Sequence, residues 1–340
     1  MNPDELLRHA FHAHVQRIQP SADALATIRA RIARRANLSR RITVGLASLS
    51  SAVVVTATVV IAGAVSCAPP STQEPLPPAD PGPSATTTQP TPPSQGGQPD
   101  RVPIYYLGEV GDRVVLYREF RTVTPADDTL PARIAAAVQE MLRDDPLDPD
   151  YFGLWPNGAQ VREVRIEDNI AAVSVAGILH NDVGAETAAL TVEQLVWTVT
   201  AVAADAGSPV DGVRLNVDGL TGSALWGHVD VGGVLRRGDS TQVLAPVWLI
   251  SPQHGDTVGR TFEVHVAGTV FEATVNLRVR DAAGGVVLET FTTLDVGAPS
   301  RGQTKVTLDL SPGQYTLEAF VYSMADGSIQ ALDDHTITVT

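Results

Sequence analysis

Apolar and polar positions follow five different rhythms along this chain, and each rhythm predicts a different kind of segment. Between residues 4 and 18, Leu7, Phe11, Val15 and Ile18 recur at helical spacing, and Leu25, Ile28 and Ile32 repeat the pattern after Pro20-Ser21. Two short amphipathic helices follow, the second with Ser21 as N-cap. From Ile42 to Ser66 there is no charge, and the polar side chains are seven Ser and Thr hydroxyls. At about 1.5 Å per helical residue this run reaches roughly 37 Å, enough to cross a hydrocarbon core of about 30 Å with some tilt. From Ala68 to Asp100 the rhythm disappears: eleven prolines stand among Ser, Thr, Gln, Gly and Ala. Such a segment buries too little apolar surface to offset its ordering entropy, so it reads as an extended spacer of up to about 100 Å.

Beyond the spacer, residues 101–240 mix period-2 and period-3.6 segments. Strands are predicted at 104–107 and 113–123, joined by Gly111-Asp112, then a helix over 130–142 with Pro131 in its first turn. Strands at 161–167 and 170–175 flank Asp168-Asn169, a tight hairpin turn. A second helix is expected from Thr191, where Thr191 and Gln194 have capping-box spacing, to Gly207, with Leu195, Val196, Val199 and Val202 buried and Trp197 at the flank. A strand at 213–217 completes the order ββαββαβ, expected as one mixed sheet with both helices on one face, an α+β fold. Residues 245–340 show period 2 alone. Seven short strands are predicted, with alternation clearest in Phe262/Val264/Val266, Val275/Leu277/Val279 and Val306/Leu308/Leu310. That spacing indicates an immunoglobulin-like β-sandwich. The fold class is therefore multidomain: a cytoplasmic helical arm (1–41), a transmembrane helix (42–66), a Pro-rich linker (67–100), an α+β domain (101–240) and an all-β sandwich (245–340).

Charge orients this arrangement. Residues 1–41 hold eight arginines against Asp4, Glu5 and Asp23, whereas the segment after the apolar run holds sixteen basic and thirty-five acidic residues. Positive residues beside a membrane segment stay cytoplasmic, so the amino terminus is expected inside and residues 67–340 outside. An outer body this acidic repels phosphate, which argues against nucleic-acid binding. Cys67 is the only cysteine, so no intramolecular disulfide or Cys-based zinc site forms. The run is longer than a signal-peptide core and is preceded by some 41 residues, which argues for a retained anchor. However, Ala64-Val65-Ser66-Cys67 resembles a bacterial lipobox, which would make Cys67 a lipidation site, although leucine is usual where Ala64 stands. Both readings leave the outer body tethered.

A resemblance adds to this reading. Tyr105-Tyr106-Leu107, the helix 130–142, Trp155-Pro156-Asn157-Gly158, Val173-Ser174-Val175, Glu193 through Thr200 and Val213 through Gly219 together resemble the GerMN domain of bacterial sporulation and germination proteins. The segment Ser208 to Gly212 departs from that pattern as an insert-like stretch. Ser251-Pro252, Gly255-Asp256, Phe262-Glu263-Val264, Glu272 through Val275, Gly313-Gln314-Tyr315 and Asp326-Gly327 resemble the immunoglobulin-like domain found beside GerMN in germination-associated proteins. GerMN domains resemble ring-building domains of membrane-associated assemblies and also occur in envelope lipoproteins. The resemblance therefore implies contacts with proteins or envelope polymers and not turnover.

Direct chemical signals are few. No nucleophile elbow, phosphate loop, HExxH or dinucleotide fingerprint is present. His9 and His12 share a helical face in the arm, but no ligand shell completes them. Asp144, Asp145, Asp148 and Asp150 form an acidic loop that lacks the glycine and terminal glutamate of an EF-hand, so it reads as solvated, with calcium the alternative. His228 and Asp230 share a strand face without a third partner. Tyr151, Phe152 and Trp155 cluster in a loop and are candidate partner contacts, with a lid over the core as the plainer reading. No catalytic, cofactor-binding or metal residue is assigned. The expected function is a membrane-anchored extracytoplasmic binding or scaffold protein of the bacterial envelope, in a sporulation or germination type of assembly, whose partners are envelope proteins or cell-wall polymer. The alternative is a transmembrane regulator in which residues 1–41 hold a cytoplasmic, sigma-factor-like protein.

Overall fold

The computed structural model describes residues 100–324 and 326–340. The expected arm, membrane run, linker and Cys67 lie outside the described residues, with only Asp100 of the linker inside them.

β1 (Asp100–Val110) and β2 (Arg113–Val123) form an antiparallel hairpin closed by Gly111-Asp112. α1 (Leu130–Leu142) follows. Thr129 caps it by accepting from the Ala132 N–H at 3.4 Å, and Pro131 stands where its missing donor costs nothing. Ile134, Ala137, Val138, Met141 and Leu142 form its buried face. β3 (Gln160–Glu167) and β4 (Ile170–Ala176) are joined by Asp168 and Asn169, both with positive φ (48° and 64°), the backbone of a type I′ turn. α2 (Ala185–Asp205) then carries the chain across to β5 (Gly212–Val217), which pairs parallel with β4. Two short strands, β6 (Ala224–Leu225) and β7 (Val229–Asp230), and one turn of helix, α3 (Ser240–Val243), complete the first domain.

The element order is the ββαββαβ of the sequence pattern, but the sheet is not single. Among the named strands β1 and β2 pair with each other, while β3, β4 and β5 form a separate three-stranded sheet. α1 contacts both β1 and β3, and α2 contacts both β1 and β5, so each helix serves two sheets. This explains why α2 departs from a one-sided stripe. Beyond Leu195, Val196, Val199 and Val202 it buries Gln194, Trp197, Thr198 and Ala201, as a helix packed all round must. It starts six residues earlier than the capping-box spacing suggests, at Ala185 after Gly184, and the Thr191 hydroxyl donates instead to the Thr187 carbonyl at 2.8 Å. Among the described residues α2 alone is long and apolar enough to cross a membrane. Its burial makes it the core helix of this domain.

The second domain holds β8 (Val247–Ser251), β9 (Thr257–Val258), β10 (Thr261–Gly268), β11 (Thr274–Asp281), β12 (Val286–Thr293), β13 (Gly302–Asp309), β14 (Gly313–Tyr322) and β15 (Ile329–Val339). One sheet runs β13-β10-β8 and the other β12-β11-β14-β15-β9. Phe262, Val264 and Val266 face Val275, Leu277, Val279, Leu317 and Ile337 in a shared core. This is the two-sheet sandwich that the alternation implies, with the two-residue β9 as an addition.

β8 joins the domains. Val247 and Leu249 enter the sandwich core, while Trp248 and Ile250 enter the core of the first domain. Successive side chains of a strand point to opposite faces, so one short strand belongs to two cores.

Candidate functional site

Two regions concentrate unusual chemistry, a polar seam between the domains and an open groove on the first domain.

The seam is built from the loop after α1, from β2 and from β15. Glu119 on β2 is buried, and its carboxylate accepts from the Leu147 and Asp148 backbone N–H groups at 3.0 and 2.8 Å. This fixes the loop, and with it the Asp148 side chain, which is 2 % exposed. The neighbouring Phe120 N–H donates to Gln253 Oε1 at 2.7 Å, tying the same strand to the second domain. Tyr151 stacks on Tyr117 with ring centroids 4.6 Å apart and donates its hydroxyl to Asp333 Oδ1 at 2.6 Å. Gly108 makes room for that stack, because a Cβ there would lie 2.7 Å from the Tyr117 ring. Asp333 Oδ2 accepts from the Leu249 N–H at 2.6 Å. His335, two residues along β15 and on the same face, points Nε2 toward Asp148 Oδ2 at 3.8 Å and Asp333 Oδ2 at 3.9 Å. His254 Nδ1 lies 3.3 Å from Asp148 Oδ2.

The electrostatics follow from burial. Loss of solvent pushes the Asp333 carboxyl up to about 7 and lowers the His335 imidazole below its ordinary value. His254 moves the other way, raised by its hydrogen bond to Asp148. Beside this cluster the Arg301 guanidinium lies 3.4 Å from the Trp248 ring centroid and donates to the Ala245 carbonyl at 2.9 Å. Burial pushes it down to about 9. Among the described residues, Asp148, Asp333 and His335 each bring one donor atom into a cluster whose members lie within 4.8 Å of one another, and they are the residues able to hold a metal ion.

The groove, about 690 Å³, is lined by Pro156, Leu179, Asn181, Asp182, Leu220 and Trp226 among others. Trp226 has φ 54°, a strained conformation for a bulky side chain. Its indole donates to the Ile178 carbonyl at 2.6 Å and meets the Trp155 ring edge-on at 5.5 Å. Asn181 Nδ2 donates to the Leu154 carbonyl at 2.8 Å. A half-buried aromatic is thus held rigidly beside amide and carboxylate groups.

The aromatics singled out from sequence lie differently from the expectation of a partner surface. Tyr151 is buried in the seam, Trp155 is buried and donates to Gln194 Oε1 at 3.1 Å, and Phe152 pairs its backbone with Leu107. They pack inward as a lid, because the loop closes over β1 and β2. The acidic loop is likewise not uniformly solvated: Asp148 is buried, and Asp144 accepts from the Gly153 N–H. His228 and Asp230 are exposed. Trp226, Asp333 and His335 were not singled out from sequence as site residues. For Asp333 and His335 the run Asp333-Asp334-His335 inside an alternating strand is the one local signal, and Trp226 has none.

Comparison with known proteins agrees with both family resemblances. Residues 103–222 match the family described as sporulation and spore germination, and residues 246–328 match the immunoglobulin-like domain of bacterial spore germination. Among solved structures, the tandem GerMN domains of the sporulation protein GerM from Bacillus subtilis are 14% identical, with a TM-score of 0.31 over 43% of this chain and 48% of that one. The present chain thus spans about half the length of that neighbour. A structure from Clostridium perfringens described as a lipoprotein is 15% identical, with a TM-score of 0.29 over 42% of this chain and 89% of that one. No curated protein matches. The chain thus carries a domain of the sporulation and spore germination family, followed by the immunoglobulin-like domain of bacterial spore germination.

Proposed function

We propose that this protein is a non-enzymatic, single-pass membrane protein whose outer domains bind envelope proteins or cell-wall polymer in a sporulation- or germination-type assembly. The apolar run 42–66 fixes it in the membrane with the amino terminus inside, and the Pro-rich linker sets its reach. Lipidation of Cys67 is a second means of tethering. The observation that carries the binding role is the strained, clamped Trp226 at the groove. Backbone strain persists where surrounding structure enforces it, and a rigid aromatic beside Asn181 and Asp182 suits a polymer with both apolar faces and hydroxyl or amide groups.

The test is co-sedimentation of the detergent-solubilised chain with purified wall fragments, together with crosslinking to envelope proteins in cells. Retention on wall fragments or a specific crosslinked envelope protein supports the proposal. Absence of both, or hydrolysis of the fragments by the purified chain, sinks it.

The arginine-rich amphipathic pattern of residues 1–41 favours one other reading, a regulator that couples outer binding to a cytoplasmic, sigma-factor-like partner. Deletion of residues 1–38 separates the two. An assembly role survives the deletion, whereas a signalling role is lost with the arm.

A further inference from the structure

The polar seam contains a pair of buried carboxylates with no fixed positive charge beside them. Among the described residues, the only basic groups within 4 Å of the Asp148 and Asp333 carboxylates are His254 and His335. His335 is 2 % exposed, and its Nδ1 lies 2.7 Å from the Pro252 carbonyl oxygen. A carbonyl only accepts, so Nδ1 carries the proton, and a neutral ring presents a bare lone pair at Nε2. Nε2 lies 3.8 and 3.9 Å from two carboxylate oxygens. Three electron-rich atoms facing one another in a buried space are held together by a proton or by a metal ion between them.

We propose that Asp148 Oδ2, Asp333 Oδ2 and His335 Nε2 form a site for a divalent transition-metal ion of the zinc class, which clamps the GerMN domain to the immunoglobulin-like domain. Donor atoms of the three residues lie within 4.8 Å of one another, a spread that one ion with bonds of about 2.0–2.2 Å draws together with modest closure. The surrounding hydrogen bonds are of the kind that orient metal ligands. His335 donates Nδ1–H to a backbone carbonyl, Asp333 accepts from the Tyr151 hydroxyl and the Leu249 N–H, and Asp148 Oδ1 accepts from the Asp150 N–H at 2.8 Å. An imidazole with two carboxylates suits zinc, cobalt or manganese better than calcium, which takes six or more oxygens. Asp148 comes from the first domain and Asp333 with His335 from the last strand of the second, so the ion would crosslink them.

The test uses the 340-residue chain in detergent, with His9, His12 and His14 replaced by Gln so that the arm adds no imidazole ligands. After chelation and dialysis it is titrated with cobalt(II), a spectroscopic stand-in for zinc. The expected result is one equivalent bound, with visible d–d absorption that added zinc abolishes. In Asp148→Asn and His335→Gln variants affinity falls at least 100-fold, while His265→Gln on the sandwich surface binds as the parent does. Circular dichroism establishes that the variants are folded. If His335→Gln does not fold, hydrogen exchange on the parent chain decides instead, with zinc slowing exchange in 144–155 and 329–339. Absence of stoichiometric cobalt binding by the folded parent, or binding unchanged in the folded Asp148→Asn variant, overturns the proposal.

Discussion

At the scale of single residues, buried polar side chains on α2 do structural work that a periodicity reading assigns to apolar ones. Gln194 Nε2 donates to the Tyr105 carbonyl at 2.8 Å, and its Oε1 accepts from the Trp155 indole. Thr198 Oγ1 accepts from the Tyr105 N–H at 3.1 Å. Between them they satisfy both backbone groups of Tyr105 on the edge of β1 away from β2, beside the bridge of Leu107 to Phe152. Replacing Gln194 with Leu keeps the volume but strands a buried carbonyl and a buried indole N–H. A loss of about 2–4 kcal/mol is expected, read as a lowered urea midpoint with unchanged slope. Trp226→Ala acts at the groove instead. It should weaken retention on wall fragments by about tenfold or more while leaving far-UV circular dichroism unchanged, since removing an aromatic anchor typically costs about 1–2 kcal/mol of binding. Retention equal to the parent's would show that the groove is not the contact.

At the scale of elements, local rules account for boundaries wherever the element answers to its own sequence. The β3–β4 turn is such a case. Asp168 and Asn169 both sit at positive φ, and Asp and Asn tolerate that region where most residues do not. Asn169→Ala should therefore destabilise by about 1 kcal/mol and Asn169→Gly by little or nothing, measured by denaturant unfolding. Equal effects of the two substitutions would argue against a conformational origin. α1 is equally local, with Thr129, Pro131 and the apolar face all legible. α2 is not. Its start depends on Gly184, which offers no side-chain cap, and its buried circumference depends on two sheets meeting it. The capping-box spacing at Thr191 is genuine in the sequence, but tertiary packing extends the helix past it.

At the scale of the molecule, β8 makes two domains behave as one. Trp248 and Ile250 lie in the GerMN core, Val247 and Leu249 in the sandwich core, and Arg301 covers the Trp248 ring. Differential scanning calorimetry of the chain should show the two domains unfolding in one cooperative transition. Trp248→Ala should lower its stability by about 3–5 kcal/mol and separate it into two transitions, because the cavity falls at the shared strand. Two independent transitions in the parent chain would show that the seam does not couple the domains.

The order of elements, the turn chemistry, the alternation of the sandwich strands and the contrast between a basic arm and an acidic body follow from the sequence alone. All of these depend on neighbours a few residues apart or on simple counts of charge. Even the uninterrupted apolar run Val247 to Ile250 carries a local hint that β8 is covered on both faces. Only the tertiary structure decides which surfaces cover it, why the sheet divides in two, and that Tyr151 meets Asp333 182 residues away. Those outcomes depend on shape and burial between segments distant in the chain. No period within a segment encodes what a side chain such as His335 will meet once two domains close on each other.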